Sequence, residues 1–276
     1  MNTGQQISRT IQAELGYLIP SKEKPVYFAS QGGSEAELQV AAKIVPRTVA
    51  ITDAREKVPA PKLDKEGFAL VDHKSAVTDF YDDSQIRDIY EGEVSALVKQ
   101  LTGASRVVVF DHTRRSDAHD IRGARSTREP SSVIHNDYTD ASATKRLRDI
   151  LPDEADTLLQ HRFAVINVWR SIAGPVLTTP LALCDATSIR ATDLVATERR
   201  ARDRIGELEL ATWNPDHRWY WFSGVTPKEA VLIKTFDSAI DGRARRSIHT
   251  AFRNPDAPSG AAPRESIETR TFAFFD

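Results

Sequence analysis

The sequence predicts an α+β fold in which helices come early and the C-terminal half is built from strands. Three observations carry that expectation. Within 76–102 the apolar residues Ile86, Ile89, Tyr90, Val94, Leu97 and Leu101 recur at helical spacing and stop before Gly103. From residue 162 onward, segments rich in β-branched and aromatic residues alternate with polar turns. The closing ESIETRTFAFFD alternates cleanly from Ser266. At 276 residues, 40% of them hydrophobic, the chain can bury a sizeable core. It is read as a single domain, with 1–75 an N-terminal extension packing on the core and 76–276 supplying the helices and the β-rich unit.

Taken in order, residues 1–75 read as short elements. PVYFAS at 25–30 has strand character, and SEAELQVAAKIVP reads as an exposed stretch ending near Pro46. The helix within 76–102 runs into a buried strand, Val107 to Phe110. A second helical stretch, ASATKRLRDILPDEADTLLQ, is broken or restarted at Pro152. RFAVINVWRSI at 162–172 is a strand closed by Gly174-Pro175, and LALCDATSI, RWYWFSG and AVLIKTFDS read as further strands. The segments 111–130 and 186–218 read as largely irregular.

Charge narrows the function. The formal charge of −2, with acids and bases interspersed, gives no single-sign field, which argues against a nucleic-acid or anionic-membrane partner. The arginine-rich stretches around 114–128 and 199–204 read as solvated loop and helix surface. One cysteine, Cys184 in the apolar run PLALC, leaves no internal disulfide or multi-cysteine zinc site and reads as a buried structural thiol. The N-terminal MNTGQQISRT has no apolar core of a signal peptide, and 18 uninterrupted apolar residues occur nowhere, so a cytoplasmic, unanchored protein is expected. A homodimer is compatible with the chain, although no heptads argue for one.

The chemistry begins at SSVIHNDYTD, residues 131–140. Side chains at i and i+2 of an extended chain share a face, so His135 and Asp137 converge. His73, His119, His161 and His217 lie among charged or turn residues, and His112 follows a buried strand. His249, in RRSIHTAF within the β-rich unit, is the remaining candidate. Two histidines and one carboxylate on one face match the facial triad of non-heme Fe(II) oxygenases, which leaves the opposite face open. In the tail, Arg264, Ser266 and Arg270 lie on one parity of an extended chain. A 2-oxoglutarate cosubstrate needs a planar cation on its distal carboxylate, and a neighbouring hydroxyl suits it; Arg264 and Ser266 supply both.

The order HxD, long spacer, His, then Arg-x-Ser resembles the Fe(II)/2-oxoglutarate-dependent oxygenases with a double-stranded β-helix. More narrowly, SSVIHNDYTDASA, INVWRSIAGPVLTTPLALCD, LIKTFDS, IHTAFRNPDAP and PRESIETR resemble the hydroxylase/desaturase family of asaB-type and gibberellin-desaturase-like proteins. A cephalosporin C-7 methoxylation protein belongs to the same group. The resemblance runs from about residue 107 to the end and implies a jelly-roll, cupin-like core with flanking helices. It implies Fe(II) on His135, Asp137 and His249, with 2-oxoglutarate on Arg264 and Ser266 and with Arg270 as competitor for that carboxylate. Trp169, Arg170 and Tyr138 are the substrate-side candidates. The implied activity is O2-dependent oxidation of an unactivated C–H bond of a small molecule, by hydroxylation, desaturation or ring formation, in secondary metabolism. Two other readings fit the same triad: a zinc-binding hydrolase, and a non-catalytic partner subunit of an oxygenase or methoxylation complex.

Overall fold

A computed structural model of the chain describes residues 9–202 and 204–276. The first eight residues of the N-terminal extension lie outside the described residues. The rest of that segment forms β1 (Thr10–Leu18), β2 (Val26–Phe28), β3 (Gln39–Ala41), β4 (Ile44–Asp53) and β5 (Phe68–Asp72). These are followed by β6 (Arg106–Ser116), β7 (His135–Asn136), β8 (Phe163–Ser171), β9 (Leu181–Cys184) and β10 (Leu194–Ala201). The last five are β11 (Arg204–Ala211), β12 (Trp219–Trp221), β13 (Glu229–Asp237), β14 (His249–Ala251) and β15 (Glu265–Phe274).

Two sheets result, a larger one ordered β1-β4-β12-β9-β14-β7-β11-β10-β2-β3 and a five-stranded one ordered β5-β13-β8-β15-β6. From β6 to β9 the chain crosses between the sheets at every strand; after β10 to β12, all in the larger sheet, it crosses again at β13, β14 and β15. That alternation is the winding of a double-stranded β-helix, with β6–β15 and β8–β15 as long antiparallel ladders. Between the sheets, Phe68, Trp169, Leu183, Phe222, Val231 and Ile233 form one core cluster.

The early helix starts at Asp83 rather than near 76. Asp82 caps it by accepting from Ser84 N, and Gln85 Oε1 holds the backbone N–H groups of Thr78 and Asp79 in a turn. It runs through a π turn, Ile86–Tyr90, into Glu91–Thr102, and ends at Gly103 with φ 73°. Tyr90, Val94, Leu97 and Val98 pack against Ala164, Ile166, Val168 and Ile267, the outer face of the five-stranded sheet. A second helix, Asp140–Ile150, is opened by Thr139 and Ser142 in a reciprocal capping box, and a short helix, Ala155–Leu158, follows Pro152.

The stretch 34–46 is exposed or half-buried throughout, as expected, yet it contains β3 and the start of β4, with Pro46 inside a strand opposite Gly16. The segment 186–218, expected to be irregular, contains the β10–β11 hairpin. β1 buries Ile11, Ala13, Leu15 and Tyr17 on alternate positions, packed in one cluster with Ile134, Ala182 and Ile248 behind the sheet's inner face. Gly16 permits that close approach, since a Cβ there would lie 2.9 Å from Ile44 Cγ2 and 3.3 Å from the Ser132 carbonyl. Among the described residues, no helix is long and apolar enough to cross a membrane.

Candidate active site

β7 and β14 are neighbours, and His135 stands directly opposite His249. Facing residues of an antiparallel pair project from the same face, so both imidazoles point inward, 4.5 Å apart by ring centroids. Both are buried. Asp137 follows the end of β7 and turns back, bringing Oδ1 3.7 Å from His135 Nε2. One donor atom from each of His135, Asp137 and His249 lies within 4.8 Å of the others. Asn136 takes the opposite face and is tied to Tyr138 O at 2.7 Å and Glu209 Oε2 at 2.9 Å, fixing the chain reversal that delivers Asp137.

The hydrogen bonds around the triad fit a divalent metal. His135 Nδ1 lies 2.8 Å from Val133 O and His249 Nδ1 lies 3.0 Å from Ser247 O. A carbonyl only accepts, so each proton sits on Nδ1 and each Nε2 keeps its lone pair. Burial, with His249 alongside, pulls the His135 pKa down to about 3, which keeps that ring neutral. Asp137 Oδ2 accepts from Asn167 Nδ2 at 2.7 Å and Arg270 Nε at 3.0 Å, leaving Oδ1 on the histidine side. Burial alone would raise the Asp137 carboxyl, but Arg270 and the two histidines outweigh it and hold it well below the usual range. Two imidazole nitrogens and one carboxylate oxygen on one face suit Fe(II) with open positions.

Arg270 is therefore engaged with the triad carboxylate. Its other contacts are Asp111 at 2.9 Å, Thr113 at 3.0 Å and Glu268. Arg264 is different. It is buried, donates to Ser266 Oγ at 3.1 Å and Thr179 O at 2.8 Å, and its guanidinium carbon lies 5.0 Å from the centre of the Trp169 ring. Among the described residues it has no salt bridge, and burial with Arg115 nearby pulls its pKa down to about 9. A buried guanidinium with a hydroxyl beside it and no carboxylate is poised for an external one. Trp169 packs in the core cluster between the sheets, and its indole N–H has no hydrogen-bond partner among the described residues.

Arg170 corrects its expectation as a substrate contact. Alternation along β8 puts Asn167 and Trp169 inward and Arg170 outward, where its side chain contacts Tyr90 of the early helix. It donates to the carbonyls of His73 at 2.7 Å and Pro227 at 2.6 Å and bonds His73 Nδ1. Lys234 pairs with Asp64 and Asp237. His112 bonds Thr269 and Glu91 between strand and helix, away from the triad. Cys184 is fully buried, and burial pushes its thiol up to about 12.

Two adjoining clefts open beside the triad. One is lined by His135, Asp137, Arg270, Tyr27, Leu208, Arg115, Arg128 and Arg199; the other by Asp137, Tyr138, Arg270, Arg146, Arg199 and Arg204. Whereas Arg125 and Arg200 are exposed as expected of solvated surface, Arg115, Arg128, Arg199 and Arg204 thus line the clefts. Their strand parity is the signal that would have exposed this, once 194–211 is recognised as a hairpin. Tyr138 lies beside Asp137 in the second cleft.

Comparison with known proteins follows the same lines. A family model described as "Oxidoreductase/YMDC permease-like domain" matches residues 15–274. The chain is 38% identical over 257 residues to the hydroxylase/desaturase CTB9 of Cercospora beticola, covering 85% of this chain and 78% of that protein. It is 31% identical to the Fe(II)/2-oxoglutarate-dependent dioxygenase nvfI of Aspergillus novofumigatus, over 83% of this chain and 84% of that one. A solved structure of the iron and alpha-ketoglutarate-dependent endoperoxidase NvfI superposes with a TM-score of 0.83 at 28% identity, covering 96% of this chain and 98% of that chain. Sequence, winding and relatives agree: this chain belongs to the Fe(II)/2-oxoglutarate-dependent dioxygenases, among the hydroxylase/desaturase proteins.

Proposed function

We propose that this protein is an Fe(II)/2-oxoglutarate-dependent oxygenase that oxidises a C–H bond of a small organic molecule in secondary metabolism. The observation that carries the reading is the inward-facing His135–Asp137–His249 set, with both Nδ1 protons and one carboxylate oxygen engaged elsewhere. Those three residues hold Fe(II), which together with 2-oxoglutarate and dioxygen supplies the oxidising power for an unactivated C–H bond. Arg264 and Ser266 receive the distal carboxylate of 2-oxoglutarate, and the centre of the Trp169 ring lies 5.0 Å from that guanidinium carbon. Asn167 and Arg270 hold the Asp137 carboxylate so that only one oxygen faces the histidines. The apolar residues between the sheets exclude water from that end, and Tyr138 lines the approach from the second cleft.

The test is an anaerobic titration of metal-free protein with Fe(II) and then 2-oxoglutarate, monitored for the weak visible charge-transfer absorption of the chelate. Its appearance, and its loss in His249→Ala, support the reading. Tight zinc binding without that absorption would favour a hydrolytic or structural metal instead.

A further inference from the structure

The arginines of the two clefts have too few counter-ions. Arg199 lies opposite Gly206 in the β10–β11 hairpin, and Arg204 is two residues from Gly206 on the same strand. Directly opposed residues share a face, so both guanidiniums leave the hairpin on one side, where Gly206 has no side chain to crowd them. Arg128 and Arg115 reach the same entrance from residues next to Glu129 and from β6. Arg115 spends one donor on the Glu129 carbonyl at 2.7 Å. Among the described residues, Arg128, Arg199 and Arg204 have no side-chain hydrogen bond and no salt bridge, although each is half-buried.

The carboxylates nearby are committed elsewhere. Asp111 and Asp137 pair with Arg270, Asp149 with Lys145, and Glu207 with Lys24 and Thr139. Glu129 lines the cleft but among the described residues makes no ion pair, and its buried Oε2 has no hydrogen-bond partner there. One unpaired acid thus shares the cleft with Arg115, Arg128 and Arg199. Burial lowers the pKa values of Arg128, Arg199 and Arg204, and neighbouring arginines lower them further. Half-buried like charges crowded without partners cost stability, and an arriving anion removes that cost. Tyr27 and Leu208 in one cleft and Ile205 in the other, 64% exposed, add apolar wall.

We propose that the substrate is an organic oxyanion, a carboxylate or phosphate ester on an apolar body, whose charged group is received by Arg128 and Arg199 with Arg204 behind them. The proposal rests on the oxygenase reading for what happens to that substrate, but the anion site itself does not depend on the metal. Paired N–H groups on a guanidinium match the two oxygens of either group. Binding there would set the charged end at the entrance and direct the rest of the molecule toward the triad.

The test is calorimetric titration of protein loaded anaerobically with Fe(II) and saturating 2-oxoglutarate, which occupies the Arg264 end. The probes are benzoate, 1-naphthoate, phenyl phosphate and the neutral methyl esters of the two acids. Wild-type protein is expected to bind an anionic probe about tenfold or more tightly than its neutral counterpart, the scale of a charge-assisted hydrogen bond. Arg128→Gln/Arg199→Gln should lose that preference while the chelate absorption stays unchanged; Arg199→Lys, which keeps the charge, should retain part of it. Relative affinity for benzoate and phenyl phosphate separates the two sources of the oxyanion. A second readout needs no ligand: Arg199→Gln should raise the melting temperature of the free protein by relieving repulsion. Equal binding of acid and ester, absence of binding by every anionic probe, or an acid preference that survives the double substitution would each overturn the proposal. If the chelate absorption never forms, the oxygenase reading fails separately, and the acid–ester comparison in metal-free protein still decides the anion site.

Discussion

At the scale of the residue, the centre depends on which proton and which oxygen each side chain keeps. His135→Ala removes one of three donors and should abolish Fe(II) retention in a metal titration. If iron were retained unchanged, the triad assignment would be wrong. Arg264→Ala should leave iron bound but weaken 2-oxoglutarate by about tenfold to a hundredfold, the loss of one charge-assisted partner, read from the chelate absorption. Asn167 touches no metal, yet it donates to Asp137 Oδ2 at 2.7 Å. Asn167→Ala should therefore lower Fe(II) affinity roughly 10–100-fold, as loss of such an outer partner does elsewhere. Asn167→Asp should be worse, because it sets a second carboxylate against the first.

At the scale of the element, β8 divides two jobs by alternation. Its inward residues Asn167 and Trp169 contact Asp137 and Arg264, while outward Arg170 ties the sheet to the loop at His73 and to Pro227. Arg170→Met should destabilise the fold by roughly 3 kcal/mol in denaturant unfolding, since it strips two carbonyls of a charged donor. Titration of the folded variant with 2-oxoglutarate should match wild type; a large loss there would return Arg170 to the site. The apposition of β1 at Gly16 is an equally local constraint. Gly16→Val brings a branched side chain against Ile44 and the Ser132 carbonyl and should cost about 1–3 kcal/mol, seen as a lower denaturation midpoint.

At the scale of the whole molecule, the His135–Asp137–His249 set joins the sequence-distant β7 and β14, and Arg264 and Ser266, the residues proposed to receive the cosubstrate, lie just before and within β15 in the opposite sheet. A ligand that binds only this assembled arrangement stabilises all of it. Fe(II) with 2-oxoglutarate at a hundred times the dissociation constant should add about 2.7 kcal/mol to the unfolding free energy, measurable as a rise in melting temperature under anaerobic conditions. That rise should vanish in His249→Ala. The same assembly brings the β10–β11 hairpin and Arg128 to the entrance, so the anion preference depends on tertiary placement too.

Much of the site was legible in the sequence because its determinants are local. Extended backbone makes His135 and Asp137 share a face from spacing alone, and Arg264 and Ser266 share a parity for the same reason. The order of β-rich segments after residue 162 and the helix stop at Gly103 were likewise local propensity and pattern. The alternation of Ile11, Ala13, Leu15 and Tyr17 was equally visible in principle, but it went unread among the short elements expected over 1–75. What the sequence could not decide was which of two chemically equal groups meets which partner. Arg264, just before β15, and Arg270, within it, share one parity of extended chain, and only the packing of Asp137 against Arg270, leaving Arg264 without an ion pair among the described residues, distinguishes their surroundings. Arg170 and the cleft arginines Arg115, Arg128, Arg199 and Arg204 were misread for the same reason. A charge has no intrinsic address; the surface it faces and the partner it lacks are set by strands far apart in the chain.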